Sequence, residues 1–216
     1  MMKKVFKKYA RNLSTTIIVI LFSTSLWQLA AASWIQGKAI IAQQLLNHSW
    51  NQTLDDLSND KKAKSHKPWP WADTWPVAKL IVPQHHIEQI ILAGDSGSSL
   101  AFGPGHSFAS ATPNSAGTTV ISAHRDTHFR FLRELKLNEM IFIQTTDKTI
   151  TYQVYEIKIV NSKTFKLQPV RDRQTLVLVT CYPFDSFDNG GSLRYLVYAT
   201  RRMRQNEVTL QTTQTS

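Results

Sequence analysis

Short runs of apolar and β-branched residues recur through the second half of the chain, and Gly, Pro, Asn or Asp bounds most of them. This pattern is typical of strands, which are about four to eight residues long and end at turn-forming residues. A short helix is predicted at 129–135. Several short strands with few helices indicate a closed β-barrel or a sandwich. The predicted strands are 77–82, 90–92, 118–122, 140–144, 151–160, 175–181 and 193–200.

The N-terminal part of the chain has a different pattern. Residues 13–32 carry no charged side chain, and about 20 apolar residues suffice to span a bilayer as a helix. Five Lys and Arg residues precede this run, so the positive-inside rule leaves the N-terminus in the cytoplasm and exports the remainder. We predict an uncleaved signal anchor in the inner membrane. A signal peptide cleaved near Ala30-Ala31-Ala32 is the alternative, and it also exports the domain.

The changes in pattern divide the chain into five segments. The stalk is helical at 38–47 and polar from Asn51 onward, and a Trp-Pro segment at 68–76 follows it. Because this segment holds three tryptophans, we expect it to pack against the surface of the domain. The segments are a cytoplasmic basic tail at 1–12, a transmembrane signal anchor at 13–34, a helical and polar stalk at 35–67, a folded domain at 68–204 and a flexible tail at 205–216.

The formal charge of +10 raises the question of a nucleic-acid partner. Between Pro68 and Thr200, however, 12 Lys and Arg residues face 11 Asp and Glu residues. The basic excess therefore lies in the segments that flank the folded domain. This distribution argues against a nucleic-acid-binding face and favours tails close to a membrane.

Cys181 is the only cysteine, so the chain forms no intramolecular disulfide. A lone cysteine often serves as a small buried apolar residue. Cys181, however, ends the apolar strand 175–181, and Pro183 cannot continue a central strand. The thiol is thus predicted at a strand end, where it can reach a cleft. This position favours a nucleophile.

Two further residues at strand ends support this interpretation. Arg194 opens the strand that follows Cys181, and antiparallel pairing would bring the two together. A cation near a thiol favours the thiolate and can stabilise an oxyanion. His124 follows the strand 118–122 and can exchange the protons that such a reaction requires. The alternative for Arg194 is an edge-strand charge that points to solvent.

His124 and His128 also form an H-x-x-x-H pair, which can bind a metal on a helix. A third ligand would have to come from His85, His86, His106 or Cys181. The sequence has no paired cysteines and no H-E-x-x-H motif. We therefore predict neither a metal nor a cofactor.

The residues described above resemble the signature of the sortase family. Leu178-Val179-Thr180-Cys181, the upstream His124 and the downstream Arg194 carry the resemblance, which covers about 69–201. The wider sequence is similar to the sortases of Gram-negative proteobacteria. The similar stretches are Asp73-Thr74-Trp75-Pro76-Val77-Ala78, Ser99-Leu100-Ala101-Phe102-Gly103-Pro104-Gly105-His106, His124-Arg125-Asp126-Thr127-His128-Phe129 and Cys181-Tyr182-Pro183-Phe184-Asp185.

The resemblance implies a closed eight-stranded sortase-type β-barrel. The expected fold is therefore mainly β, with short helices, and is preceded by the transmembrane helix predicted from the N-terminal pattern. It implies that Cys181 attacks a peptide bond in the C-terminal sorting signal of an exported partner protein. An amine acceptor would then resolve the acyl-enzyme. His124 would be the general acid and base, and Arg194 would position the substrate and stabilise the oxyanion.

One residue departs from the family pattern T-L-x-T-C, because Val177 stands at its first position. We expect this residue to affect strand packing and substrate preference rather than chemistry. The resemblance also places substrate-contacting loops at 161–174 and 182–192.

Two other functions remain open. A cysteine peptidase that only hydrolyses its substrate would use the same three residues, and added amine would then fail to divert product from acid to amide. A membrane-tethered binding module without catalysis would hold Cys181 in its core, out of reach of thiol reagents.

Overall fold

The computed structural model describes residues 2–59, 65–186 and 191–202. The chain divides into two compact units, Met1–Gln44 and Leu45–Ser216. Helix α1, Met2–Ser58, begins in the first unit and ends in the second. The tail predicted at 205–216 lies outside the described residues.

Helix α1 runs through the span predicted to cross the membrane. Within the described part of the chain, however, no helix combines the length and the apolar character needed to cross a membrane. Polar side chains interrupt the apolar run: the hydroxyls of Thr24 and Ser25 both donate to the carbonyl of Leu21. The transmembrane helix predicted at 13–34 is therefore not supported by the structure.

Eight strands form a closed barrel in the order β1-β2-β3-β4-β7-β8-β6-β5. The pairs β2–β3 and β4–β7 are parallel. Helix α2 is Gly97–Leu100, and two short 3-10 helices are Pro83–His85 and Arg130–Arg133. The strands are β1 Pro76–Val82, β2 Ile87–Ala93, β3 Gly105–His106, β4 Gly117–Ser122, β5 Met140–Gln144, β6 Thr149–Asn161, β7 Gln174–Cys181 and β8 Leu193–Arg201.

The closed, mainly β barrel confirms the predicted fold, and each strand predicted from the pattern is present. Strand β3 is the one strand of the barrel that the sequence pattern did not predict. It has two residues, too few to produce an alternating pattern. A Cβ atom on Gly105 would lie 2.2 Å from the carbonyl oxygen of Gly94, so only glycine allows the backbone to approach here. The helix predicted at 129–135 is the 3-10 helix Arg130–Arg133.

Alternating side chains of the strands fill the barrel. In β7, Leu176 and Leu178 are fully buried in the core, and in β8 they meet Val197 and Ala199. Because successive side chains of a strand point to opposite faces, the intervening positions of both strands project to the outside of the barrel. Cys181 is one of these outward positions.

A second apolar cluster lies between the end of α1 and the barrel, within the unit Leu45–Ser216. Leu46 and Trp50 are buried against Ile90 and Leu92 of β2, with Phe102 beside them. The sequence placed Leu46 and Trp50 in a stalk that ends at residue 67. They belong instead to the compact unit that contains the barrel.

The Trp-Pro segment returns the chain from this cluster to β1. The ring of Trp69 meets that of Phe102 edge-on, with 4.9 Å between the ring centroids. The hydroxyl of Thr74 donates to the carbonyl of Ala93 at 2.7 Å, and Trp75 accepts a backbone bond from Ala93. The predicted packing thus holds for the segment as a whole but not for Trp71, which is 82% exposed.

Candidate active site

The topology gathers three strand ends at one rim of the barrel. Because β4 and β7 run parallel, their carboxyl ends lie at the same rim. Strand β8 runs antiparallel to β7, so its first residues lie there too. His124 follows β4 by two residues, Cys181 is the last residue of β7 and Arg194 is the second residue of β8. The structure therefore brings the three predicted residues to one rim.

Strand register sets the position of Arg194 relative to Cys181. The two residues are direct partners in the β7–β8 ladder, and such partners have Cα atoms about 4.5–5.5 Å apart. The next bond of the ladder joins the Tyr182 amide to the Leu193 carbonyl at 3.1 Å. Direct partners present their side chains on the same face of a sheet. The pairing inferred from the sequence is confirmed.

His124 lies just beyond the β4–β7 ladder. The last register pair is Ser122 with Val179, and the amide of Ala123 donates to the carbonyl of Val179 at 3.1 Å. His124 is thus the first residue past the last backbone bond between the two strands. Its side chain is exposed, whereas Cys181 is half-buried as a free thiol.

A buried hydroxyl joins the segment of His124 to the strand of Cys181. Thr180 is 2% exposed, and its Oγ1 donates to the carbonyl of Ala123 at 2.7 Å. Thr180 belongs to the stretch Leu178–Cys181, and the sequence alone predicts no role for it. A polar residue on the inward face of an otherwise apolar strand was the available signal, because a buried hydroxyl requires a partner.

The guanidinium of Arg194 is held by backbone carbonyls at the start of β8 and just before it. Its Nη1 atom donates to the carbonyls of Gly191 at 2.7 Å and Leu193 at 2.9 Å. The amide of Ser162 donates to the carbonyl of Ser192 at 2.8 Å. The two loops predicted to contact substrate, 161–174 and 182–192, therefore meet beside Arg194. Residues 187–190 of the second loop lie outside the described residues.

The rings of Tyr182 and Phe184, which follow Cys181, pack against the ring of Tyr195 in β8. The ring of Tyr195 stacks on that of Tyr182, with 6.1 Å between the ring centroids, and meets the ring of Phe184 edge-on, with 5.1 Å between the centroids. Phe184 and Tyr195 also pack against the barrel core. Burial raises the pKa of Tyr195 because it disfavours the phenolate, and Tyr182 adds to this effect. The cluster fixes the start of the loop that follows the candidate nucleophile.

His128 lies close enough to His124 for the two imidazoles to interact electrostatically. Burial lowers the pKa of His128, since it disfavours the charged imidazolium, and His124 lowers it further. His128 lines an open pocket of about 450 Å³ together with His85, His86, Arg130 and Glu134. His124 itself is not among the residues that line the pocket.

Two of the histidines considered as metal ligands, His85 and His106, have other partners. His85 bonds to Glu139 at 2.7 Å, and Nε2 of His106 bonds to the carbonyl of Ala111 at 2.9 Å. Across the described stretches of the chain, no three His, Cys, Asp or Glu residues are grouped so that they could hold a metal ion.

Comparison with known proteins identifies the family of this chain. The model of the sortase domain family matches residues 80–202, a range that contains His124, Cys181 and Arg194. The chain belongs to the sortase family. Sortase D of Bacillus subtilis is 32% identical over 151 residues, which make up 69% of this sortase and 74% of the relative.

Two solved structures show the same fold. A Sortase D5 transpeptidase of Clostridium perfringens has a TM-score of 0.59 at 20% identity, over 76% of this chain and 99% of that chain. Sortase C1 of Streptococcus agalactiae has a TM-score of 0.54 at 26% identity, over 60% of this chain and 69% of that chain. The predicted family is confirmed, and the assignment to its Gram-negative group remains a prediction.

Proposed function

We propose that this sortase is a cysteine transpeptidase in which Cys181 is the nucleophile. The observation that carries the proposal is the direct pairing of Cys181 with Arg194 at the rim where His124 follows β4. A thiol, a cation and an imidazole on three adjoining strand ends are the groups that covalent acyl transfer requires. The half-buried, free state of Cys181 leaves part of its surface open to a substrate.

In the first half-reaction the sulfur of Cys181 attacks the carbonyl carbon of a peptide bond. The thiol proton passes to His124, and the S–C bond forms as the carbonyl oxygen gains negative charge. The C–N bond then breaks, and the leaving amine takes a proton from His124. The product is a thioester on Cys181.

Arg194 has two tasks in this scheme. As the cross-strand partner of Cys181 it provides a positive charge close to the developing oxyanion. Its bonds to the carbonyls of Gly191 and Leu193 hold the guanidinium in place before the substrate binds. A preorganised donor of this kind stabilises the transition state without reorganising during the reaction.

In the second half-reaction an amine attacks the thioester and gives a proton to His124. The C–S bond breaks as a new amide forms, and the departing sulfur takes that proton from His124, which restores the Cys181 thiol. Water in place of the amine would give an acid, so a purely hydrolytic peptidase is the alternative function. The two functions differ in the acceptor and use the same residues.

The proposal extends to partner and location. We propose an exported partner protein with a C-terminal sorting signal, an amine acceptor, and a site of action on the extracytoplasmic side of the inner membrane. The support for export is the basic N-terminus followed by the uncharged residues 13–32. Membership of the Gram-negative group is proposed from the stretches quoted above. Protease treatment of intact spheroplasts tests the location: the barrel should be digested there and protected in inverted vesicles.

A ligation assay tests the transpeptidase proposal. The full-length chain is incubated with candidate sorting peptides and a primary amine, and products are identified by mass spectrometry. We expect an amide product and a thioester adduct of the peptide on Cys181. Product formation that persists in Cys181→Ala would overturn the proposal. Acid product that added amine leaves unchanged would support the hydrolytic peptidase. If thiol reagents fail to label Cys181 in the folded chain, a binding module is favoured.

A further inference from the structure

Arg125, the residue directly after His124, is buried although its side chain is charged. It is 4% exposed. Its Nη2 atom donates to the backbone carbonyl of Ser186 at 2.8 Å, and its Nε atom donates to Asp126 at 3.2 Å. Burial of a guanidinium carries a large desolvation cost unless the group is paired and hydrogen-bonded. The position of this residue therefore calls for an explanation.

The contact of Arg125 joins the two segments that carry the reacting groups. Arg125 lies in the segment between β4 and the 3-10 helix Arg130–Arg133, which also contains His124. Ser186 lies in the segment that follows Cys181. The two residues are 61 positions apart in the chain. No strand ladder connects the segments here, because the last register pair of β4 with β7 is Ser122 with Val179.

The loop after Cys181 is fixed near its start by other means. The Tyr182 amide bonds to the Leu193 carbonyl, and Phe184 packs against Tyr195. Arg125 fixes the same loop further along, at Ser186. A guanidinium holds its donors in a rigid plane, so a bond from a buried Arg fixes direction as well as distance.

We propose that Arg125 is a positioning residue of the candidate active site. It holds the segment of His124 against the loop of Cys181, so that imidazole and thiol stay within reach of one another for proton transfer. This inference rests on the proposed function, since it assigns Arg125 a task in the same reaction. Arg125 acts through its neighbours and needs no contact with substrate.

The chain offers a matched control in Arg133. Its Nη1 atom bonds to Asp185 at 3.2 Å, and Asp185 precedes Ser186 in the same loop. This pair is exposed, with 39% and 80% of the two side chains accessible, and exposed pairs contribute little. Arg133→Met thus removes an exposed cationic contact to the same loop and leaves the buried contact of Arg125 in place.

The test compares Arg125→Met, Arg125→Lys and Arg133→Met in the full-length chain. In the ligation assay we expect Arg125→Met to lower kcat by roughly tenfold to a hundredfold, the size of effect that misplaced groups produce. KM should change by less than about threefold, because substrate contacts remain. Arg125→Lys should recover only part of kcat, since it restores the charge but not the planar fork. Arg133→Met should stay within about twofold of the parent.

A second measurement works even if no peptide is turned over. The rate at which iodoacetamide alkylates Cys181 is recorded from pH 5 to 9, with the thermal midpoint measured in parallel. We expect the profile of both Arg125 variants to move to higher pH, because His124 is no longer held beside the thiolate. A kcat within twofold of the parent, or an unshifted alkylation profile in folded Arg125→Met, overturns the proposal. If that variant does not fold, Arg125→Lys decides by the same two criteria.

A parent chain that turns over no peptide in the presence of amine counts against the proposed function alone. A normal parent with an unaffected Arg125→Met variant counts against the positioning role alone. The two failures are therefore distinguishable.

Discussion

The two junctions that meet at Cys181 are built differently. At the β7–β8 junction, Arg194 is part of the backbone ladder and is the direct partner of Cys181. At the β4–β7 junction, the ladder ends at Ser122 and Val179, and His124 lies beyond it. Backbone bonds therefore position the cation. Side-chain bonds from Thr180 and Arg125 position the imidazole.

This difference has a consequence for mutation. Substitutions other than proline leave the hydrogen bonds of a backbone ladder in place, so the location of Arg194 tolerates changes in neighbouring side chains. The location of His124 depends on a few polar side chains and should be the more easily disturbed. Substitutions at the two junctions test this contrast.

The largest effect is expected for His124→Ala. Loss of a general acid and base removes roughly 10²–10⁴-fold in rate, so kcat for ligation should fall within that range. KM should change little, because the imidazole acts on protons in the transition state. Steady-state kinetics at pH 7 give the answer, with His128→Ala as the control at the neighbouring histidine. Equal losses in the two variants would contradict the assignment.

Arg194→Met should lower kcat/KM by about 10²–10³-fold, the range found for loss of an oxyanion donor. The thermal midpoint should move little, since the strand register does not depend on this side chain. The measurement is ligation kinetics together with thermal unfolding. Arg194→Lys is the matched variant, and it should regain part of the activity because charge is restored without the second nitrogen. An active Arg194→Met would show that the β7–β8 pairing is structural.

Thr180→Val should lower kcat by roughly tenfold and the free energy of unfolding by about 1–3 kcal/mol. It leaves the carbonyl of Ala123 without its buried donor, while Val keeps the shape of Thr. Thr180→Ser retains the hydroxyl and should keep most of the activity. Denaturant unfolding and ligation kinetics measure both effects. If Val and Ser variants behave alike, the hydroxyl does not position His124.

The smallest effect concerns His128 and pH. Its folded-state pKa lies below the ordinary value of 6.5 because of burial and His124. Below about pH 6.5 the unfolded chain therefore binds a proton that the folded chain does not, which disfavours folding. From pH 7 to pH 5 the parent should lose more thermal stability than His128→Gln. If the thermal midpoint falls equally with pH in the parent and in His128→Gln, the proton linkage to His128 is wrong.

The sequence predicted the strands and the rim well because both depend on local features, whereas the strand pattern left a barrel or a sandwich open and the family resemblance implied the barrel. The run 140–144 coincides with β5, and the end of β7 at Cys181 is set by the proline that follows. Antiparallel pairing of neighbouring strands then places Arg194 without further information.

The remaining features depend on contacts between distant residues. Thr180 and Ala123 are 57 positions apart, and Arg125 and Ser186 are 61 apart, so no local periodicity reveals either bond. Strand β3 is too short for a pattern. Trp50 was placed in a stalk because its partners, Ile90 and Leu92, lie in β2. Burial of this kind is visible only after the chain has folded.

The packing of Leu46 and Trp50 on β2 also limits how the chain can be shortened. A chain cut at residue 68, the predicted start of the domain, would expose Ile90, Leu92 and Phe102 to water. Apolar patches of this kind promote self-association. A soluble version for biochemistry should therefore begin before Leu46, so that the barrel keeps the helix turns that cover its side.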